Sequence, residues 1–282
     1  MSLNDRAFIR YSRQIMLPEV GELGQQRLMN ASVAIVGLGG LGQLCAQYLS
    51  AAGIGRLILI DDDKVELSNL PRQLLFSHGD CGQYKAEVAR DRLVGKGTGD
   101  NSQVSAFGQI SAKVVRLDGD NAESLLSDVG LVLDCSDNFA TRQHINAACV
   151  ALSTPNVVAA AAHFAGQLMA FDLSKSPDNG CYHCLFPAEL RVSESCSTIG
   201  ILGPMVGTLA SMQALLAIKL LLGLPGLGWL HRFDGLTGEI QKFALRRDPK
   251  CAVCAEIKES NEKAYAARGE TACLSALGEI DE

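Results

Sequence analysis

The sequence predicts an α/β fold: a doubly wound, Rossmann-like, mostly parallel sheet, extended by antiparallel strands and carrying a four-cysteine zinc site. Three observations support it. Short β-branched runs alternate with helical patterns over the first half of the chain. A glycine turn, Gly37-Leu38-Gly39-Gly40-Leu41-Gly42, joins the first such run to the first such helix. Two Cys-x-x-Cys pairs, Cys181/Cys184 and Cys251/Cys254, lie far apart in the second half, with the spacing of a tetrahedral zinc site.

Each element follows from a local pattern. Arg6 to Leu28 mixes polar and apolar residues and reads as an N-terminal arm, helical at both ends. Ser32 to Gly37 is a buried parallel strand. Leu41 to Ala52 has apolar residues at helical spacing, and Gly53 and Gly55 stop it. Arg56 to Asp61 is the second buried strand, which completes a βαβ unit. A polar stretch, Ser68 to Asp80, leads to a helix from Gln83 to Leu93, and Gly95 to Ser102 is a loop. Gln103 to Gly108 is expected as a strand, Asn121 to Ser127 as a short helix, Leu131 to Asp134 as a strand and Ala140 to Leu152 as a helix. Asn156 to Ala160 and Gln167 to Asp172 are further strands. Gly180 to Ile199 is a cysteine-bearing loop. Leu230 to Phe233 and Ile240 to Leu245 form an antiparallel pair.

Bulk properties narrow the function. The chain has 282 residues, 48% hydrophobic and 20% charged, so it buries a sizeable core. A formal net charge of −6 argues against a partner held by non-specific nucleic-acid contacts. Thr198 to Leu224 is long and apolar, yet Pro204, Gln213 and Lys219 interrupt it. It is expected as a core helix, with no membrane partner. Met1 to Arg13 is polar, without a secretory h-region, which predicts a reducing, cytoplasmic setting for the 10 cysteines.

A strand, a tight glycine turn and a helix N-terminus make an anion site, because free N–H groups and the helix dipole favour phosphate. Gly37, Gly39 and Gly42 also satisfy the dinucleotide fingerprint, with Asp61 placed to bind ribose hydroxyls. The loop alone therefore leaves NAD and ATP both open. Arg13, Arg72 and Lys85 tilt the balance. Each alone reads as a solvated surface charge, but together they suit a triphosphate with a departing pyrophosphate. Asp137, in Asp134-Cys-Ser-Asp-Asn138, sits at the carboxyl end of a strand, where ligands of open sheets bind. It suits either Mg²⁺ between phosphate oxygens or an N-cap for the next helix.

These words together resemble the ThiF/MoeB family of the ubiquitin-activating-enzyme superfamily, and its ThiF members more closely. The matching motifs are Arg10-Tyr-Ser-Arg-Gln-Ile, Gly37-Leu-Gly-Gly-Leu-Gly, Ser68-Asn-Leu-Pro-Arg-Gln, Leu133-Asp-Cys-Ser-Asp-Asn, Cys181-Tyr-His-Cys and Cys251-Ala-Val-Cys. They run from the N-terminal arm to Cys254. The resemblance implies a single adenylation domain over 1–254: an arm over 1–30, a nucleotide-binding half over 31–160, and a carrier-binding and zinc half over 161–254. A polar, acidic tail follows over 255–282. The implied reaction is ATP- and Mg²⁺-dependent adenylation of the C-terminal glycine carboxylate of a ubiquitin-like sulfur-carrier protein ending in Gly-Gly. That carrier is ThiS-like and serves thiamine thiazole synthesis; a molybdopterin synthase small subunit is the alternative. The resemblance also implies a homodimer and a sulfur-donor protein.

Carried over by residue, Gly40 lies against the phosphates, with Gly37, Gly39 and Gly42 in the same loop. Asp61 holds the ribose, with Asp63 beside it. Ser68, Asn69, Arg72 and Lys85 contact the triphosphate, Asp137 holds Mg²⁺ with Asn138 next to it, and Arg13 reaches the nucleotide of the other subunit. Pro71 departs from the glutamine usual in relatives and removes a backbone donor beside Arg72. The Gly95 to Ser102 loop is a second departure, standing where relatives carry an Asn-Pro segment. Cys196 is either an idle loop thiol or a nucleophile toward the acyl-adenylate. Cys45, Cys135 and Cys149 are expected in the core. Two rivals remain: an NAD-dependent oxidoreductase, and a zinc-stapled scaffold that binds a ubiquitin-like tail without activating it.

Overall fold

A computed structural model describes residues 3–95, 104–105, 108–190 and 200–255. Helix α1 (Asp5–Ile15) starts at Asn4, whose side chain accepts from the Ala7 N–H at 2.8 Å. Helix α2 (Gly21–Asn30) follows. The first half of the chain then runs β1 (Ser32–Val36), α3 (Gly42–Ala52), β2 (Arg56–Ile60), α4 (Lys85–Gly95), β3 (Val104–Ser105) and β4 (Gly108–Lys113). It continues through α5 (Ala122–Leu126), β5 (Leu131–Asp134), α6 (Phe139–Ala151) and β6 (Asn156–Ala162). The second half holds β7 (Ala165–Phe171), α7 (Tyr182–Leu185), α8 (Gly203–Leu221), β8 (Trp229–Asp234) and β9 (Ile240–Ala244).

One nine-stranded sheet unites them, in the order β3-β4-β2-β1-β5-β6-β7-β8-β9. Strands β4, β2, β1, β5 and β6 pair in parallel. Strands β6 to β9 pair antiparallel and extend the sheet on one side. The chain leaves β1 for β2 and β4 on one side, then crosses to β5 and β6 on the other. That reversal puts the topological switch point between β1 and β5.

Alternation along the parallel strands explains why both faces are covered. Val33, Ile35, Leu57 and Leu59 point into a core shared with α3, α4 and α8. Ala34, Val36, Ile58 and Ile60 point into a second core under α5 and α6. A strand buried on both faces has to read as a continuous apolar run.

The apolar stretch near residue 200 is helical from Gly203 to Leu221 and, among the described residues, is the one helix long and apolar enough to cross a membrane. One face packs on the sheet through Val206, Leu209, Ala210, Ala214 and Ala217. Gln213 is fully buried, and its Nε2 donates to the carbonyls of Asp134 and Val157, both at 3.0 Å. The polar residue that interrupts the stretch is therefore what ties helix α8 to the sheet.

One expected strand is misplaced. Gln103 to Gly108 is the expected span, but the long strand is Gly108–Lys113, with Val104–Ser105 folded back against it. The sequence Gly-Gln-Ile-Ser-Ala-Lys has one strongly apolar inward residue, Ile110, so its strand signal is weak. Gly108 is required because a Cβ there would lie 2.6 Å from the Ile54 carbonyl oxygen. The expected loop from Gly180 also contains a one-turn helix, α7, whose N-cap is Cys181. Gln103, Cys196, most of the Gly95 to Ser102 loop and the tail after 255 lie outside the described residues.

Candidate functional site: a polar cleft and a thiol cluster

A cleft of about 490 Å³ opens at the switch point, over the carboxyl ends of β1, β2 and β5. Its floor is the glycine turn. Gly37 has φ +87°, and a Cβ on it would sit 2.8 Å from the Cys135 carbonyl oxygen, so both backbone and space demand glycine. Gly40 is pinned by helix α8: its Cβ would meet Val206 Cγ1 at 2.6 Å. Backbone N–H groups of Gly39, Gly40 and Leu41 line the cleft and donate to no acceptor among the described residues. Three free donors before an 11-residue helix make an anion cradle.

Gly42 differs from the expectation. It is not in the cleft wall, and a Cβ there would fall 1.8 Å from the Gly37 carbonyl oxygen. Its role is to let α3 start against the end of β1.

Asp61 closes β2. Its Oδ2 accepts from the Leu38 N–H at 2.5 Å and its Oδ1 from the Asp63 N–H at 2.7 Å, which locks the carboxylate to the glycine turn. Burial pushes its pKa up to about 6, against the opposing pull of Lys85. Lys85 is 6% exposed at the first position of α4, and its Nζ donates to Asp63 Oδ2 at 2.8 Å. Asp63 therefore holds the ammonium at the cleft edge.

The polar stretch from Ser68 is a tight turn. The Asn69 Oδ1 accepts from the Glu66 N–H at 3.2 Å, and Arg72 Nη1 donates to the Ser68 carbonyl at 3.0 Å. Pro71 is not among the residues that line the cleft, and its carbonyl is 2.6 Å from where a Cβ on Gly203 would stand. This contact seats the turn on the start of α8. Ser68, Asn69, Arg72 and Lys85 all line the cleft.

The cap expected at Asp137 falls instead to its neighbour. Asn138 is the N-cap of α6, its Oδ1 accepting from the Thr141 N–H at 2.9 Å. Asp137 is exposed in the cleft and accepts no hydrogen bond from the described residues. Its turn is braced from below. Asp134 Oδ1 accepts from Ser136 N–H and Oγ at 3.0 and 2.6 Å, and Arg142 Nη2 donates to the Ser136 carbonyl at 2.6 Å and the Ala159 carbonyl at 3.2 Å. Burial raises the Asp134 pKa, while the Arg142 charge opposes the rise.

Arg13 is exposed on α1 and is not in the cleft of its own chain. Gln73, Val115, Arg116, Leu117 and Arg142 line the cleft and were not expected there. Val115 and Leu117 follow the end of β4; placing that strand correctly would have found them by the same strand-end rule that found Asp137. Gln73 is 3% exposed, and its Oε1 has no partner among the described residues.

A second cluster lies in the other half. The sulfurs of Cys181, Cys184, Cys251 and Cys254 all lie within 4.8 Å of one another. The spacings are 3.9 Å for Cys181–Cys184, 3.7 Å for Cys181–Cys251 and 3.4 Å for Cys184–Cys254. Four thiolates at zinc–sulfur distances would be separated by about 3.8 Å, so the donor set fits a closed tetrahedral zinc. Burial pushes the Cys181 thiol up to about 11, which shows why thiolates there call for a cation. His183 turns away from the sulfurs, its Nδ1 2.9 Å from Gln143 Oε1. Cys45, Cys135 and Cys149 are buried, as expected.

Fold and cleft define a doubly wound α/β protein with an anion site at its switch point and a separate thiol cluster. A family model described as the ThiF family matches residues 11–253, and the chain belongs to that family. It is 46% identical over 253 residues to the sulfur carrier protein ThiS adenylyltransferase of Escherichia coli strain K12, covering 89% of this chain and 97% of that protein. It is 38% identical over 256 residues to the molybdopterin-synthase adenylyltransferase of Salmonella typhimurium, covering 90% of this chain and 99% of the relative. Among solved structures, E. coli MccB superposes with a TM-score of 0.73 at 25% identity, over 87% of this chain and 72% of that one.

Proposed function

We propose that this chain uses ATP to adenylate the C-terminal glycine carboxylate of a ubiquitin-like sulfur-carrier protein and releases pyrophosphate. One observation carries the reading: a single cleft joins an anion cradle of free backbone donors, a carboxylate at the end of β2, the cations of Arg72 and Lys85, and the unengaged carboxylate of Asp137. A nicotinamide pocket has no need of Arg72, Lys85 and Asp137 together.

In this reading the carrier carboxylate oxygen bonds to the α-phosphorus, and the bond from that phosphorus to the bridging oxygen of pyrophosphate breaks. Both reactants are anions, so screening and placement are the protein's work. Gly39, Gly40 and Leu41 present N–H groups to phosphate, Asp61 accepts from ribose hydroxyls, and Arg72 and Lys85 face the departing charge. Asp137 would hold Mg²⁺, which when bound neutralises phosphate oxygens. Arg13, exposed on α1, would enter the cleft of a second copy in a homodimer.

We place the reaction in thiamine thiazole synthesis in the cytoplasm, with a ThiS-like carrier, because the ThiS-directed relative is the more similar of the two types at 46% against 38% identity. The molybdopterin-synthase carrier is the second reading. ATP–pyrophosphate exchange measured with each purified carrier decides: exchange stimulated only by the ThiS-like protein supports the first, and exchange with neither removes both. Cys196 is assigned to transfer after adenylation with a sulfur-donor protein. Cys196→Ser should leave exchange intact and stop sulfur loading of the carrier.

A further inference from the structure

Helix α6 carries a residue that local propensity does not favour. Asn146 is 1% exposed in the helix interior, a place asparagine disfavours because its amide competes with the backbone. A buried amide persists there only when satisfied. Its Oδ1 accepts from the Tyr182 N–H at 2.9 Å, and its Nδ2 donates to Cys181 Sγ at 3.5 Å. The amide orientation is fixed by chemistry, since a backbone N–H needs the oxygen, and that turns the amide nitrogen toward the sulfur.

We propose that Asn146 is a positioning residue of the metal centre. Its amide donates to the Cys181 thiolate, relieving the −2 charge of a tetrathiolate zinc and fixing the direction from which that sulfur binds. The inference rests on the reading that the four thiols hold zinc. One turn earlier on α6, Gln143 Nε2 donates to the Phe186 carbonyl at 2.7 Å, so two side chains of this helix grip the 181–186 segment. The same helix begins at Asn138, beside Asp137 in the cleft. Helix α6 is thus the bar between the two sites, and Asn146 is its contact with the metal end.

The test uses the full chain loaded with zinc. Wild type should hold about one zinc per chain. Asn146→Ala should release it to a chromogenic chelator about 10–100-fold faster. Asn146→Asp should be at least as fast. It keeps the acceptor for Tyr182 but puts a carboxylate beside a thiolate. In the cobalt-substituted protein both variants should shift the sulfur-to-metal charge-transfer band, because the Cys181 sulfur loses its donor. If Asn146→Asp kept wild-type release and an unshifted band, the residue would serve only Tyr182 and the proposal would fall. Wild type without bound zinc would instead refute the zinc reading on which it rests. Should the variants not fold, wild type loaded with ¹¹³Cd decides: a scalar correlation from cadmium to the Asn146 amide protons is expected, and its absence overturns the assignment.

Discussion

The cleft and the thiol cluster are built on opposite plans. The cleft is held by backbone: glycine conformation, strand order and helix termini place the donors, and the side chains that meet the ligand stand partly free. The thiol cluster is held by side chains: cysteines from segments about 70 residues apart meet in a buried knot, and little backbone regularity surrounds them. A site made by the fold can lose a functional side chain and stay folded. A thiol cluster that closes on a cation would loosen the segments it joins when the cation is lost.

If the four thiols hold zinc, stripping it should give the largest effect. A closed structural zinc contributes about 10–16 kcal/mol in zinc-finger peptides. Here its removal should raise amide exchange across 181–186 and 245–254 while β1, β2 and the glycine turn stay protected. Uniform loss of protection across both halves would erase the contrast. Asp137→Ala should do the reverse. Pyrophosphate exchange should fall by about 10²–10³-fold with stability unchanged within about 0.5 kcal/mol, and wild-type exchange in that variant would take Asp137 out of the reaction.

A smaller effect tests the backbone plan itself. Gly40→Ala should cost about 1–3 kcal/mol by overpacking against Val206, and adding Val206→Ala should recover much of it in denaturant titrations. No recovery would mean that the Val206 contact is not what excludes a side chain there.

The smallest effect is a pH dependence. Burial holds Asp61 at about 6 in the folded chain, above the ordinary value of about 3.9. Between those values the folded state binds the extra proton, so the ligand-free chain gains stability as pH falls through the window. Nucleotide affinity should move the other way, declining up to about tenfold per pH unit below about 6 as the acceptor is lost. Asp61→Asn should flatten that decline. A decline of equal slope in Asp61→Asn would assign it to another group.

Much of the cleft was legible in sequence because its parts are local. A glycine turn, an acid at a strand end and a polar turn each announce themselves within about six residues, and strand-end logic joins them. Gln73, Val115 and Leu117 were missed for one reason each. Gln73 lay inside a recognised motif without a chemical signal of its own. The other two follow a strand whose single strong apolar residue, Ile110, placed it several positions too early. The spacing of Cys181, Cys184, Cys251 and Cys254 announced a metal cluster, but nothing in it pointed to Asn146.

The sequence by itself determined the class of sheet, the glycine loop and the four-cysteine set, because hydrophobic period, glycine geometry and thiol spacing act over short distances along the chain. Tertiary structure alone decided which of Asp137 and Asn138 caps α6, that Gly42 serves packing while Gly40 faces the cleft, and that Gln213 and Asn146 tie helices to their neighbours. Those outcomes depend on which groups from remote segments arrive within a few ångströms of each other, and short-range pattern carries no record of such meetings.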